Sequence, residues 1–116
     1  MRYMLLIASN EEVARQRSQA ELDAEFAAYT AFSKEVADRG VFLSGEVLHP
    51  VNAATTVRVR DGKVLTTDGP FAETKEQLSG FYVLKCKDLD EAIDFAAKMP
   101  GAQIGSIEIR PVMEWD

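Results

Sequence analysis

Asp68, Glu73 and Lys75 fall within eight residues of one another around a Gly69-Pro70 turn, next to the apolar Phe71. A carboxylate pressed against a phenyl ring would be partly desolvated, with a raised pKa suited to moving a proton near neutral pH. The competing reading is structural: an aspartate ahead of Gly-Pro commonly bonds its own backbone to hold the turn, while Glu73 and Lys75 decorate a short helix. The structural role is weighted somewhat above ligand contact for Asp68. Glu46, after Gly45 in an apolar strand, and Arg110, in the last strand, carry charges unusual for such places. Arg110 can pair with Glu46 or Glu108, or grip an anion through its planar fork; the ion pair is favoured. His49, the sole histidine, could act as a base, but beside Pro50 a turn role is favoured, and a metal site needs several ligands. Tyr29 and Tyr82 read as core aromatics and Cys86 as a small buried hydrophobe. No glycine-rich phosphate loop and no nucleophile triad is present, so chemistry without cofactor or metal, or plain binding of a small molecule, is what remains.

These residues need elements to position them. Tyr3 to Ala8 is a short apolar run with the length of a central strand. Glu11 to Arg17 lacks an apolar stripe and reads as a loop or a frayed turn. Ser18 and Glu21 form a capping box before a helix whose stripe runs Leu22, Phe26, Tyr29, Phe32, Val36, with Gly40 as its terminator. Val41 to Leu48 alternates as a strand. Thr55–Arg60 and Lys63–Thr67 flank Asp61-Gly62, the dipeptide that best supplies the positive φ angles of a hairpin turn. A helical turn is expected over 72–78, a strand over Phe81–Cys86, a helix from Asp88 to near Pro100, and a last strand over Ile104–Val112. Strand, helix, strand, hairpin, strand, helix, strand predicts an α+β two-layer sandwich of the ferredoxin-like type, with two helices on one face of an antiparallel sheet. Phe42, Leu48, Tyr82 and Leu84 are candidates for the uncovered face, and covering it predicts a two-fold homodimer.

The 116 residues, 47% hydrophobic and 28% charged, suit a single domain over 1–116. Thirteen basic against nineteen acidic residues leave a net charge of -6, which argues against nucleic acid, because phosphate binding rests on basic clusters and the largest here is Arg58, Arg60 and Lys63. One cysteine allows no intrachain disulfide, which fits a reducing cytoplasm. The opening Met1–Ala8 run is too short for a membrane span.

The runs Thr55–Gly62 and Thr67–Leu78, with Gly80-Phe81-Tyr82, Glu108–Val112, Tyr3–Leu6 and Gly45-Glu46, resemble the YCII-related family, specifically its DGPF branch, over nearly the whole chain. The resemblance implies a dimeric α+β barrel and a bacterial protein, often encoded beside an extracytoplasmic-function sigma factor. It also implies a possible cofactor-free lyase or isomerase, since a histidine and an aspartate face a cleft in relatives. Ser79 departs from a common glycine, and Ala8-Ser9-Asn10 from aromatic and acidic residues. Two readings follow: a module binding a ligand or protein, or an acid/base enzyme with Asp68 and His49 as proton carriers and Glu46, Phe71, Glu73, Lys75 and Arg110 around the ligand.

Overall fold

The computed structural model describes residues 1–115. Strand β1 (Arg2–Ser9) leads through a short helix α1 (Glu11–Arg15) and a long α2 (Gln19–Asp38) to β2 (Phe42–Val47). A hairpin of β3 (Thr55–Arg60) and β4 (Lys63–Asp68) follows, then β5 (Gln77–Lys85), α3 (Leu89–Lys98), α4 (Gly101–Ile104) and β6 (Ser106–Pro111). The main sheet has the order β2-β5-β1-β6 with every pairing antiparallel. Two interleaved β-α-β units result, with α2 and α3 as crossovers: the ferredoxin-like α+β arrangement expected, an open sheet with one helical layer.

Local chemistry explains most boundaries. Ser18 and Glu21 form the reciprocal capping box that starts α2, and Asp88 caps α3 by accepting from Glu91 N–H at 2.9 Å. Gly40, at φ +71°, ends α2 in the left-handed conformation. The loop expected over Glu11–Arg17 is instead largely helix: Asn10 Oδ1 accepts from the amides of Glu12 and Val13, and Glu11 and Glu12 sit where the helix dipole favours acids. A cap and two acidic residues thus suffice without an apolar stripe. The helical turn expected over 72–78 does not form; Gln77 already opens β5, and its amide donates to Thr74 O at 2.6 Å.

The core lies between sheet and helices. Tyr3, Leu5, Leu84 and Cys86 meet Phe32 and Val36 of α2 and Ala92, Phe95 and Ala96 of α3. Each large side chain buried there contributes roughly 1.5–3 kcal/mol. Only the C-terminal half of the α2 stripe is used: Leu22 and Phe26 stay exposed, because a helix of twenty residues, about 30 Å long, overhangs the sheet.

Two bulges interrupt the ladders, and one of them corrects an expected face. Phe42 pairs with Leu84 but Ser44 with Val83, so Leu43 is extra and Phe42 turns to the helix side, edge-on to Tyr82 at 6.1 Å. Phe42, Tyr82 and Leu84 therefore belong to the covered face. The open face carries the row Glu46-Phe81-Leu6-Glu108 and the row Ser44-Val83-Met4-Arg110. Ser79 is the second bulged residue, skipped where Ile7 pairs with Gly80 and Ala8 with Leu78, and its hydroxyl donates to Ile7 O at 3.2 Å.

The β3–β4 hairpin, expected as part of the main sheet, shares no ladder with it. Its turn is as the Asp-Gly pair dictates, with φ of 51° at Asp61 and 74° at Gly62. A radius of gyration of 16.2 Å exceeds the roughly 13 Å of a compact chain this long, as a projecting element requires.

Candidate functional site

The Gly69-Pro70 turn forms one wall of a groove of about 420 Å³. Four separate segments meet there: Glu11, Glu12 and Arg15 of α1, the Pro50–Asn52 turn, Gly69-Pro70, and Gln77 at the start of β5. The volume is within the usual range for small-molecule sites. Glu11 fastens the walls: its carboxylate accepts from Val51 N–H at 3.1 Å, and its own N–H donates to Gln77 Oε1 at 2.9 Å. On the other side, Gly69 N–H donates to Ala54 O at 2.7 Å, and the Thr56 hydroxyl donates to Gly69 O at 2.8 Å. Gly69 sits at φ +107°, a conformation that disfavours any side chain. The turn is thus held through the Gly69 backbone, by Ala54 O and the Thr56 hydroxyl, rather than by the Asp68 side chain. Across the groove, Glu12 and Arg15 form a loose ion pair at 3.8 Å, both largely exposed.

The residues singled out from sequence do not converge on this groove. Asp68 is exposed at the end of β4, paired with Thr55, and Phe71 is 80% exposed, so the desolvating contact expected between them is absent. His49 is exposed just before the groove's Pro50. Glu73 and Lys75 are exposed in the irregular segment ahead of β5. Glu46 lies on the open sheet face, with two strands between it and Glu108, and Arg110 pairs with Glu108 rather than with Glu46. No hydrogen bond or ion pair among the described residues joins Asp68, His49 and Glu46. The groove residues Glu11 and Arg15 were missed because their stretch reads as a loop, and Gln77 because it falls within the helical turn expected over 72–78. Asn10 followed by two acids and Arg15 was the signal that could have found them.

The two phenols bridge elements. Tyr82 and Ser33 share a hydrogen bond of 2.7 Å between β5 and α2, and the Tyr29 oxygen accepts from Gly101 N–H at 3.0 Å. Burial pushes the Tyr29 phenol above its ordinary pKa, and the Gly101 amide pulls the other way. Burial likewise raises the Cys86 thiol, which keeps it protonated and inert in the core. A larger depression, about 620 Å³, runs along α3 beside Arg39, Phe95 and Lys98. Two of its three cations are already engaged: Lys98 and Arg39 donate to Glu35 at 2.7 and 3.4 Å and both sit over the Phe95 ring, while Lys87 is exposed beside them. The smaller groove, with its loose ion pair, is the better candidate. Among the described residues, no three His, Cys, Asp or Glu side chains gather as metal ligands would, and no helix is long and apolar enough to cross a membrane.

Comparison with known proteins matches residues 1–116 to the model for the YCII-related domain. An uncharacterised protein of Rhizobium meliloti (strain 1021) is 39% identical over 114 residues, which span 97% of this chain and 92% of that relative.

Proposed function

The chain belongs to the YCII-related family, and from that premise we propose that it is a small-molecule-binding module of the DGPF branch, with its ligand in the groove between α1 and the Gly69-Pro70 turn. The observation that supports this reading is a preformed groove whose four walls are tied by Glu11, Gln77 and Thr56, leaving the Glu12–Arg15 pair loose at the rim. A compact zwitterion suits those groups: its cation meets the Glu12 carboxylate and its carboxylate meets the Arg15 fork, replacing an exposed ion pair that stabilises little by itself. Pro50, Val51 and Pro70 supply the apolar contact. The acid/base reading is weaker, because Asp68, Glu46 and His49 are exposed and none of them lines the groove. A ligand sensor without chemistry of its own also fits the sigma-factor association that the resemblance implies.

The module works as a homodimer. Met4, Leu6 and Phe81 on the open sheet face have no helical layer over them, and pairing with a second copy covers them. The ligand reading is tested by thermal stabilisation with a panel of amino acids and related amino carboxylates. A member of the panel is expected to raise the midpoint of the wild type, and Arg15→Ala, an exposed substitution, is expected to abolish that rise without lowering the unliganded midpoint. No stabilisation by any member, or equal stabilisation of Arg15→Ala, would contradict it.

A further inference from the structure

Strand β4 keeps a free edge, with a different chemistry on each side of it. Across the two-residue Asp61-Gly62 turn, Arg60 and Lys63 exchange both backbone bonds, and alternate pairs follow as far as Ala54, whose O accepts from Gly69 N–H at 2.7 Å. The N–H and C=O groups of Val64, Thr66 and Asp68 therefore point away from β3, and every residue of β4 is exposed. The register puts Val57, Val59 and Val64, all more than half exposed, on one side of the ribbon, and Arg58, Arg60 and Lys63 on the other. None of these three cations forms an ion pair among the described residues. Arg60 stands directly opposite Lys63, a like-charge pair that costs stability until an anion joins it. A two-stranded ribbon is marginal by itself in water, and a third strand is what it lacks.

A strand that suits this edge alternates, its apolar side chains extending the valine side and its acids meeting the cationic side. The sequence 113–116, Met-Glu-Trp-Asp, alternates in that way. Val112 N–H donates to Arg2 O at 2.9 Å, and 113–115 then run on outside every ladder, with Met113 71% and Trp115 84% exposed. Glu114, between them, is held by an exposed pair with Arg2 at 3.0 Å, which stabilises little. We propose that residues 113–115 of one copy of the chain add to the β4 edge of a second copy as its third strand. Met113 and Trp115 then lie against Val59 and Val64, and Glu114 exchanges Arg2 for Arg60 and Lys63. Tail and ribbon belong to different copies because they leave the sheet at opposite ends. The ribbon leaves where β1 finishes and β5 starts, the tail where β1 starts. The eight residues of β1 set those ends about 26 Å apart, whereas 112–115 reach about 13 Å. A two-fold axis running across the strands brings each tail to the other copy's ribbon, so two exchanges close the dimer. This goes beyond the covering of the open sheet face, which needs neither tail nor ribbon.

Trp115 is the sole tryptophan, so its fluorescence reads the contact directly. The full chain is followed over a concentration series by tryptophan emission and by mass in solution. The wild type is expected to shift its emission to the blue as the mass rises from one chain to two. In Thr66→Pro the lost N–H is one that faces away from β3, so the hairpin stays paired while its edge no longer takes a strand. The blue shift of that variant is expected to need about 10-fold higher concentration or more. Glu114→Lys is expected to weaken the exchange as well, and Lys63→Glu on the same chain to restore it in part, which loss of the Arg2 pair alone would not allow. A two-chain mass with the emission of a water-exposed indole would overturn the exchange and leave the sheet-face dimer standing. A blue shift unaffected by both Thr66→Pro and Glu114→Lys would overturn the β4 edge as receiver. A one-chain mass at every concentration would overturn the exchange together with the homodimer, and none of these outcomes bears on amino-carboxylate binding measured by thermal stabilisation.

Discussion

Gly105 has no room for a side chain: a Cβ there would sit 2.2 Å from the Ala8 carbonyl oxygen. Two backbones, of the turn before β6 and of the end of β1, approach that closely, and neither can yield without breaking the ladder between them. Gly105→Ala is expected to cost about 2–4 kcal/mol, read as a lower denaturant midpoint at unchanged slope. Asp68→Ala should differ by no more than about 0.5 kcal/mol, since the side chain is exposed and its turn is held by Ala54 O and the Thr56 hydroxyl. A large loss there would return Asp68 to the structural role that its place before Gly-Pro suggested. At this scale the sequence shows residue types but not company. Arg110 was legible as half of an ion pair, whereas the desolvation of Asp68 by Phe71 depended on a side-chain direction that spacing leaves open.

Elements were the most legible level, and for a local reason. Caps and turns act within four residues, so Ser18 with Glu21, Asp88 with Glu91, and Asp61-Gly62 each announce their element. Bulges act between strands, and a window along one strand cannot see them. Leu43 therefore reversed the face assigned to Phe42. Nor does the hairpin signal say which sheet the hairpin joins. Because β3–β4 stands apart from the main ladder, its stability is expected to be local. Gly62→Ala, which forces a side chain to φ +74°, should cost about 1 kcal/mol in the hairpin. Hydrogen exchange should then speed up at β3–β4 amides while those of β1 and β5 are unchanged; equal acceleration in both would contradict the separation.

For the whole molecule, two carboxylates tie distant parts together and a third caps its own helix. Lys98 holds Glu35 below the usual carboxylate range, Arg2 does the same to Glu114, and the Ser18 backbone amide does so to Glu21. A carboxylate whose folded pKa is depressed adds stability above its unfolded pKa and loses it as pH falls through the folded value. The thermal midpoint is thus expected to hold from pH 7 to about 5 and to fall below that, through the carboxylate range. Glu35→Gln should lower the neutral midpoint slightly and flatten the acid fall; an unchanged slope would show that the α2–α3 bridge is not coupled to folding. The two-layer architecture was legible because its apolar stripes demanded it. The groove was not, since its walls come from four segments brought together by Glu11 and Gln77 across 40 and 66 residues. The direct test of ligand binding is amide chemical-shift mapping on titration with amino carboxylates. The expected result is that the largest shifts fall on Glu11–Arg15, Val51, Asn52 and Gly69. Shifts confined to the α3 depression around Phe95, or none with any compound, would contradict the groove as the binding site.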